Sequence, residues 1–401
     1  MSIDIVLQEI KERARRALNK PSKYGVDINL EKYLGGGGES DVEVSEADER
    51  VQQLGLDLKS TAARYVLIDK QVRKIYSRIR GVHLYSLEEA IDRMPDIIEK
   101  YYWRLINVDQ DKYTAAAELY GGEGYVVVDD DTEVDMPIQT CLLLSKNRVF
   151  QAPHNLVIVG DNSRVNITTG CTIIREVASM HAGVTEVYIG KDSEVRYLMI
   201  HGWSGLQHVR PRTAVLLGDN SRYIDYYISF SPSKTLQMYP IIYLRGVNSS
   251  ALTSSVVVAK SEEDIDLGAE AILEGDNSRA EIISRIIAKN KSRVINRSKI
   301  TAKGDDVKGH IECDGILLTN DSQIITIPEL VALNDDVSLT HEASVGRLAE
   351  DQIIYLMSKG FTDEEAKELI IRGFMKIKIP GLSETLRKTI DQAITLASRG
   401  L

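Results

Sequence analysis

Cys313, His341 and Glu342 place a thiol, an imidazole and a carboxylate near the C-terminal end of this 401-residue chain. Such groups together suit iron or zinc as ligands. Around Cys313, the apolar or small Ile311, Gly315 and Leu317 alternate with Glu312 and Asp314, the pattern of a strand. Cys313 and Glu342 are 29 residues apart, a separation that matters once the chain's repeat is known. Taken alone, Cys313 also reads as a small buried hydrophobe.

Other residues offer weaker chemistry. Cys171, in TTGCTIIREV, follows a glycine, and a corner there would make it accessible; Cys141, in TCLLL, reads as structural. Each of His154, His181, His201 and His208, taken singly, reads as a hydrogen-bonded packing residue. Asp305-Asp306 and Asp335-Asp336 have the chemistry for calcium or for a glycosidase acid and base, but corner positions make solvated turns the simpler reading. Three cysteines without a CxxC form no disulfide framework and point to the reducing cytoplasm.

A repeat positions these residues. The turns GDNSR at 160–164, GKDSE at 190–194, GDNSR at 218–222, GVNSS at 246–250 and GDNSR at 275–279 recur, with NDSQ at 320–323 as a weaker copy. Their serines, Ser163, Ser193, Ser221, Ser249 and Ser278, are spaced 30, 28, 28 and 29 residues apart, a period that signals stacked units sharing one core. Asn, Asp and Gly tolerate positive φ, so these are tight corners. SPSK at 231–234, KSEED at 260–264 and KGDD at 303–306 read as a second corner midway through each unit. The expected fold is mainly β: a β-helix or β-solenoid over 121–344, with an all-β sandwich as the rival. At this period Glu342 falls one turn after Cys313 and stacks beside it.

Helical regions flank that core. Residues 1–120 read as mostly helical, opening on an amphipathic helix with Val6, Ile10, Ala14, Ala17 and Leu18 on one face. Gly35–Gly38 and the acidic ESDVEVSEADER read as a linker, because the Gly-Lys-Ser/Thr of a phosphate loop is absent. Ser86 with Glu89 forms a capping box opening a helix through Trp103. In 345–401, Thr362 and Glu365 form a second box, Gly373 reads as a stop, and Pro380-Gly381 as a break. Ser383 then caps a last helix striped by Leu386, Ile390, Ala393, Ile394 and Ala397. The net charge of −10 argues against a nucleic-acid partner, and no apolar run of ~18 residues predicts a membrane span.

The run CDGILLTNDSQIITIPELVALNDDVSLTHEASVGRLAEDQIIYLMSKGFTDEEAKELIIRGF resembles the C-terminal signature of the SufB/SufD family, scaffolds of the SUF iron–sulfur cluster assembly system. The run GCTIIREVASMHAGVTEVYIGKDSEVRYLMIHGW is similar to an upstream region of the same family, and the resemblance covers about 140 to 375. It implies a right-handed parallel β-helix between helical regions, a transient iron–sulfur cluster, and a complex with the ABC-type ATPase SufC, which would carry the ATPase activity. The resemblance assigns cluster assembly to Cys313, Glu342 and His341, and sulfur acceptance to Cys171. ATPase docking falls to Leu356, Phe361, Ile370 and Phe374 of the helical tail. With all these site residues in one chain, the sequence resembles SufB more than SufD and is expected to pair with itself or with a second SufB/SufD-type scaffold, and to serve apo iron–sulfur proteins. No cysteine precedes Cys141, so the N-terminal cysteine motif of many SufB proteins is missing. A flavin finds no support in the sequence.

Two other functions compete. A carbohydrate-active β-helix enzyme needs an aromatic-lined cleft, and 6% aromatic content with no evident exposed cluster does not supply one. A β-solenoid that only docks partners or polymerises would carry no metal or sulfide.

Overall fold

The computed structural model of the protein describes residues 3–36, 38, 40–56, 61, 63–121, 123–230, 232–376 and 384–398. Strands Ala63–Ile68, Glu133–Leu144, Arg164–Ile173, Glu194–Gly202, Arg222–Ser229, Ser250–Ala259, Arg279–Ala288, Val307–Leu317 and Val337–Arg347 stack in parallel as one sheet. Gln71–Ser77 adds to its start antiparallel. A second sheet faces it, and together they make a parallel β-solenoid of about eight turns.

Imino acids and glycine explain why the second sheet changes along the stack. Pro153, Gly183, Pro211 and Pro240 split the early turns into two short strands each, as in Met180–His181 and Val184–Ile189. Proline has no N–H to give a ladder. Asp264–Leu273 then bridges both halves, pairing with Thr235–Met238 and Ile241–Leu244. At its middle a Cβ on Gly268 would sit 1.7 Å from the Arg297 carbonyl oxygen. Arg293–Ala302 and Gln323–Ala332 continue unbroken; Pro328 is tolerated there because its strand ends the sheet.

The corners repeat chemically as well as in sequence. Asp131, Asn162, Asp192, Asn220, Asn248, Asn277 and Asp306 all have φ between 47° and 58°, the left-handed region that Asn and Asp tolerate best among non-glycines. Asn220 donates to Asp192 at 2.9 Å, Asn248 to Asn220 at 3.0 Å, and Asn277 to Asn248. Two corner assignments are exchanged relative to the sequence reading. KGDD at 303–306 continues the GDNSR series, because Asn277 N–H bonds the Asp305 carbonyl. NDSQ at 320–323 belongs to the opposite corner, because Gln323 N–H bonds the Ser292 carbonyl.

The N-terminal region contributes more β-structure than expected. Ala63–Ile68, Gln71–Ser77 and Val82–Tyr85 are strands, and the first pairs in parallel with Glu133–Leu144. Part of the supposed acidic linker forms the helix Val44–Gln53, whose Ala47 and Val51 are buried against the first sheet's outer face. Helix Ile3–Ala17 buries Val6, Ile10, Ala14 and Ala17 over the second sheet's outer face, with Leu18 packed beside them. The Ser86–Glu89 box forms, but its helix ends at Arg93 and Pro95 starts another.

At the other end the last strand runs to Arg347, past the expected 344/345 boundary. Helices Glu350–Ser358, Asp363–Met375 and Glu384–Ser398 follow. The Thr362–Glu365 box forms, and the helix passes Gly373 to end at Met375. Ile371, Met375, Ile390, Ala393 and Ile394 cover the first sheet's outer face. Pro380, Gly381, Ser383 and the side chains of Leu386 and Ala397 lie outside the described residues.

Candidate metal and sulfur site

Strand alternation decides which groups meet in the last two turns. In Val307–Leu317, Ile311 and Cys313 point into the solenoid, and Glu312 and Asp314 point out. The next strand pairs Ile311 with His341, Glu312 with Glu342, and Cys313 with Ala343. Glu342 therefore does not stack on Cys313: the register at this turn is 30 residues, and the one-residue slip moves a side chain to the other face. His341 shares the inner face with Cys313 at the open end, and Glu342 joins an outer acidic group.

Each face has its own electrostatics. Outside, Arg285 donates to Asp314 at 2.6 Å and also pairs with Glu312. Burial pushes the Asp314 carboxyl above its ordinary value against the pull of Arg285, and Glu312 and Glu342 push the same way. Inside, Cys313 is fully buried, accepts from Asn296 Nδ2 at 3.2 Å and lies 3.8 Å from Ser298 Oγ. Burial raises the thiol's pKa, while Ser298 and Asn296 lower it. His341 and Glu342 are exposed on the terminal strand.

Cys171 is not accessible. It lies inside Arg164–Ile173, fully buried, and burial pushes its thiol pKa up. Its strand partner is His201, and His181 approaches from the second sheet. Candidate ligand atoms of Cys171, His181 and His201 all lie within 4.8 Å of one another. Burial lowers the pKa of His181 to about 4 and that of His201 well below its ordinary value, so both imidazoles are neutral at pH 7.

An interior polar column joins the two cysteine regions. Tyr227 Oη bonds His201 Nδ1 at 2.9 Å, and Tyr227 stacks on Ser255, Ser255 on Ser284, and Ser284 on Cys313. Ser255 and Ser284 hydroxyls bond at 3.3 Å, and Ser284 reaches Asn296, the donor to Cys313. Polar side chains in a solenoid core are costly unless partnered, so this column is a specific feature of the interior.

Residues 142–374 match the SUF system FeS cluster assembly, SufBD core domain, and residues 58–140 match the SufBD protein N-terminal region. The chain is 33% identical over 411 residues to an iron-sulfur cluster assembly SufBD family protein of Methanothermobacter thermautotrophicus, covering 99% of this chain and 100% of that one. It is 38% identical over 356 residues to a SufBD family protein of Archaeoglobus fulgidus, covering 88% and 95%. A Staphylococcus epidermidis member is 28% identical over 377 residues, covering 92% and 74%. The chain belongs to the SufBD family. Its role lies in iron–sulfur cluster assembly.

The helical tail of this SufBD protein divides its apolar residues between two uses. Phe374 packs onto the chain's own sheet, with the Arg285 guanidinium 5.7 Å from its ring. Leu356 and Ile370 line a shallow depression with Asp351, Gln352 and Tyr355. Phe361 is exposed, as are Ile354, Tyr355, Met357 and Leu369 of the same helical tail. No described helix is long and apolar enough to cross a membrane.

Single-residue reading missed His181, His201 and the interior column. The repeat held one usable signal: His201 follows Cys171 by 30 residues, the interval separating Ser163 from Ser193. His181 left none, because it arrives across the interior from the other sheet.

Proposed function

We propose that the chain is a scaffold subunit on which an iron–sulfur cluster is built at the open end of the solenoid. The observation carrying this reading is the placement of Cys313, His341 and Glu342 on the last two turns of a SufBD fold. Both terminal strands there, Gln323–Ala332 and Val337–Arg347, have one edge unpaired among the described residues, which invites a second chain. A two-fold contact with a second copy brings the same three groups from each side. The chain itself completes no reaction; an ABC-type ATPase of the SufC kind binds the tail through Leu356, Phe361 and Ile370, and apo iron–sulfur proteins take the finished cluster.

Cys171 accepts sulfur in this scheme. Cys171 is buried in this conformation, so the transfer requires the solenoid wall to open to the donor. The Cys171 thiolate then attacks the outer sulfur of a persulfide donor, a new S–S bond forms, and the donor leaves as a thiolate. Five strand spacings separate the Cys171 and Cys313 strands, roughly 24 Å, too far for direct exchange. A dithiol reductant releases the sulfur as hydrosulfide, becoming a disulfide, and the hydrosulfide then has to travel to Cys313.

Anaerobic reconstitution with ferrous iron and sulfide tests the reading. The wild-type chain, co-purified with its ATPase, should hold iron and acid-labile sulfide, and Cys313→Ser should hold no acid-labile sulfide and correspondingly less iron. Equal iron and sulfide in a folded Cys313→Ser protein would overturn it.

A further inference from the structure

Cys171, His181 and His201 meet in the solenoid interior as a donor set whose two imidazoles have no assigned use. Hydrogen bonds already fix the His181 imidazole. Gln151 donates its Nε2 to the Asp69 and Leu143 carbonyls, both at 2.9 Å, so its Oε1 accepts from His181 Nδ1–H at 2.9 Å. The His181 lone pair is therefore on Nε2. His201 is held likewise, its Nδ1 2.9 Å from Tyr227 Oη, while its Nε2 is buried and has no hydrogen-bond partner among the described residues. A buried imidazole nitrogen left unsatisfied is costly, and it belongs to the group that faces the thiol. The two imidazole planes stand at 89° with centroids 6.1 Å apart, an arrangement open to a shared ion.

We propose that Cys171 Sγ, His181 Nε2 and His201 Nε2 bind one divalent transition ion, Fe(II) or Zn(II), inside the solenoid. One thiolate and two imidazoles match the borderline-soft character of these ions. Histidine ligands normally give their other nitrogen to an orienting partner, as Gln151 and Tyr227 provide here. Ligand atoms around a tetrahedral ion sit about 3.3–3.8 Å apart, so side-chain rotation closes the present spacing. A fourth position remains for a small ligand. Trp203, 5.4 Å from each imidazole centroid, carries a buried and unpartnered indole N–H. The bound ion displaces the thiol proton and occupies the sulfur, so metal binding and sulfur acceptance at Cys171 exclude one another. The site does not depend on cluster assembly at Cys313.

Cobalt(II) is the probe, added anaerobically to the folded full-length chain and, separately, during refolding. The protein carries Cys313→Ser and His341→Ala to silence the other site. One cobalt per chain should bind, with a thiolate-to-cobalt charge-transfer band and the visible bands of a tetrahedral ion. Cys171→Ala should abolish the charge-transfer band. His201→Gln should weaken binding at least tenfold with unchanged circular dichroism, and Tyr227→Phe should weaken it by about ten- to a hundredfold. Displacement by Fe(II) or by Zn(II) at the lower concentration names the occupant. A charge-transfer band unchanged in Cys171→Ala, displacement by neither ion, or no cobalt bound under either condition would overturn the proposal, whatever the outcome of cluster reconstitution.

Discussion

Glu342 lies across from Glu312 on the outer face of the last two turns, one residue out of step with Cys313 and Ala343. One sheet thus separates the proposed carboxylate ligand from the proposed thiol. A single chain cannot close one metal shell around both without help from a second copy. Glu342 is exposed, so Glu342→Ala should change stability by no more than about 0.5 kcal/mol. Iron uptake in the ATPase complex should nevertheless fall, as measured by iron content after reconstitution.

Cys313→Ser tests the inner face. The hydroxyl retains an acceptor for Asn296 Nδ2, and the site already holds Ser284 and Ser298. The expected cost is about 1 kcal/mol, read as a small fall in the denaturant midpoint, with loss of cluster formation. A large fall in the midpoint with cluster transfer intact per folded molecule would assign Cys313 to packing.

Much of this architecture was legible because corner chemistry is local. Asn162, Asn220, Asn248 and Asn277 need positive φ, and Gly, Asn and Ser around them mark the turns. The register of the final turn was not legible: Cys313 and Ala343 are paired by loop length, and the 29-residue interval of the neighbouring turns gives way to 30. Nor was the Cys171–His181–His201 group, whose members converge only when two sheets face each other. The helix Val44–Gln53 was hidden by its charge: only Ala47 and Val51 are buried in it, and Asp48 and Arg50 tie it down by pairing with Arg64 and the Ile174 carbonyl.

Asp225 should give the protein a pH-dependent stability. It lies on the inward side of Arg222–Ser229, between Tyr223 and Tyr227, and burial raises its pKa from 3.8 to about 7. Between these values the unfolded chain releases a proton that the folded chain retains. Stability contributed by this group therefore falls as pH rises from about 4 to 7 and is level above. At about 1.4 kcal/mol for each pH unit between the two values, the loss is at most a few kcal/mol, since the side chain is only partly buried. Asp225→Asn should flatten this slope and raise the midpoint at pH 8, measured by denaturant unfolding across pH. An unchanged slope would show that water reaches the carboxylate.

The corner ladder should contribute through backbone and side chain separately. Asn248 has φ of 58°, donates to Asn220 and accepts from Asn277. Asn248→Ala combines left-handed strain of about 1–2 kcal/mol with loss of two hydrogen bonds. Asn248→Gly loses the bonds and relieves the strain. The alanine variant should melt lower than the glycine variant, and equal melting points would mean that the ladder alone matters.

The proposed ATPase surface calls for point changes rather than deletion. Removing residues from 345 onward would cut the Val337–Arg347 strand and strip Ile371, Met375 and Ile390 from the first sheet. Loss of binding would then report unfolding as readily as lost contact. Tyr355 and Phe361 are 61% and 41% exposed, and Leu356 and Ile370 line the depression beside Tyr355. Large apolar side chains on an uncovered face are the usual anchors of an interface. Tyr355→Ala with Phe361→Ala should leave circular dichroism and the melting point unchanged while weakening ATPase binding at least tenfold, about 1.4 kcal/mol. Phe374→Ala, which loosens the tail from its own sheet, should instead lower the melting point. If the double variant binds the ATPase as tightly as the wild-type chain, the docking surface lies elsewhere on the molecule.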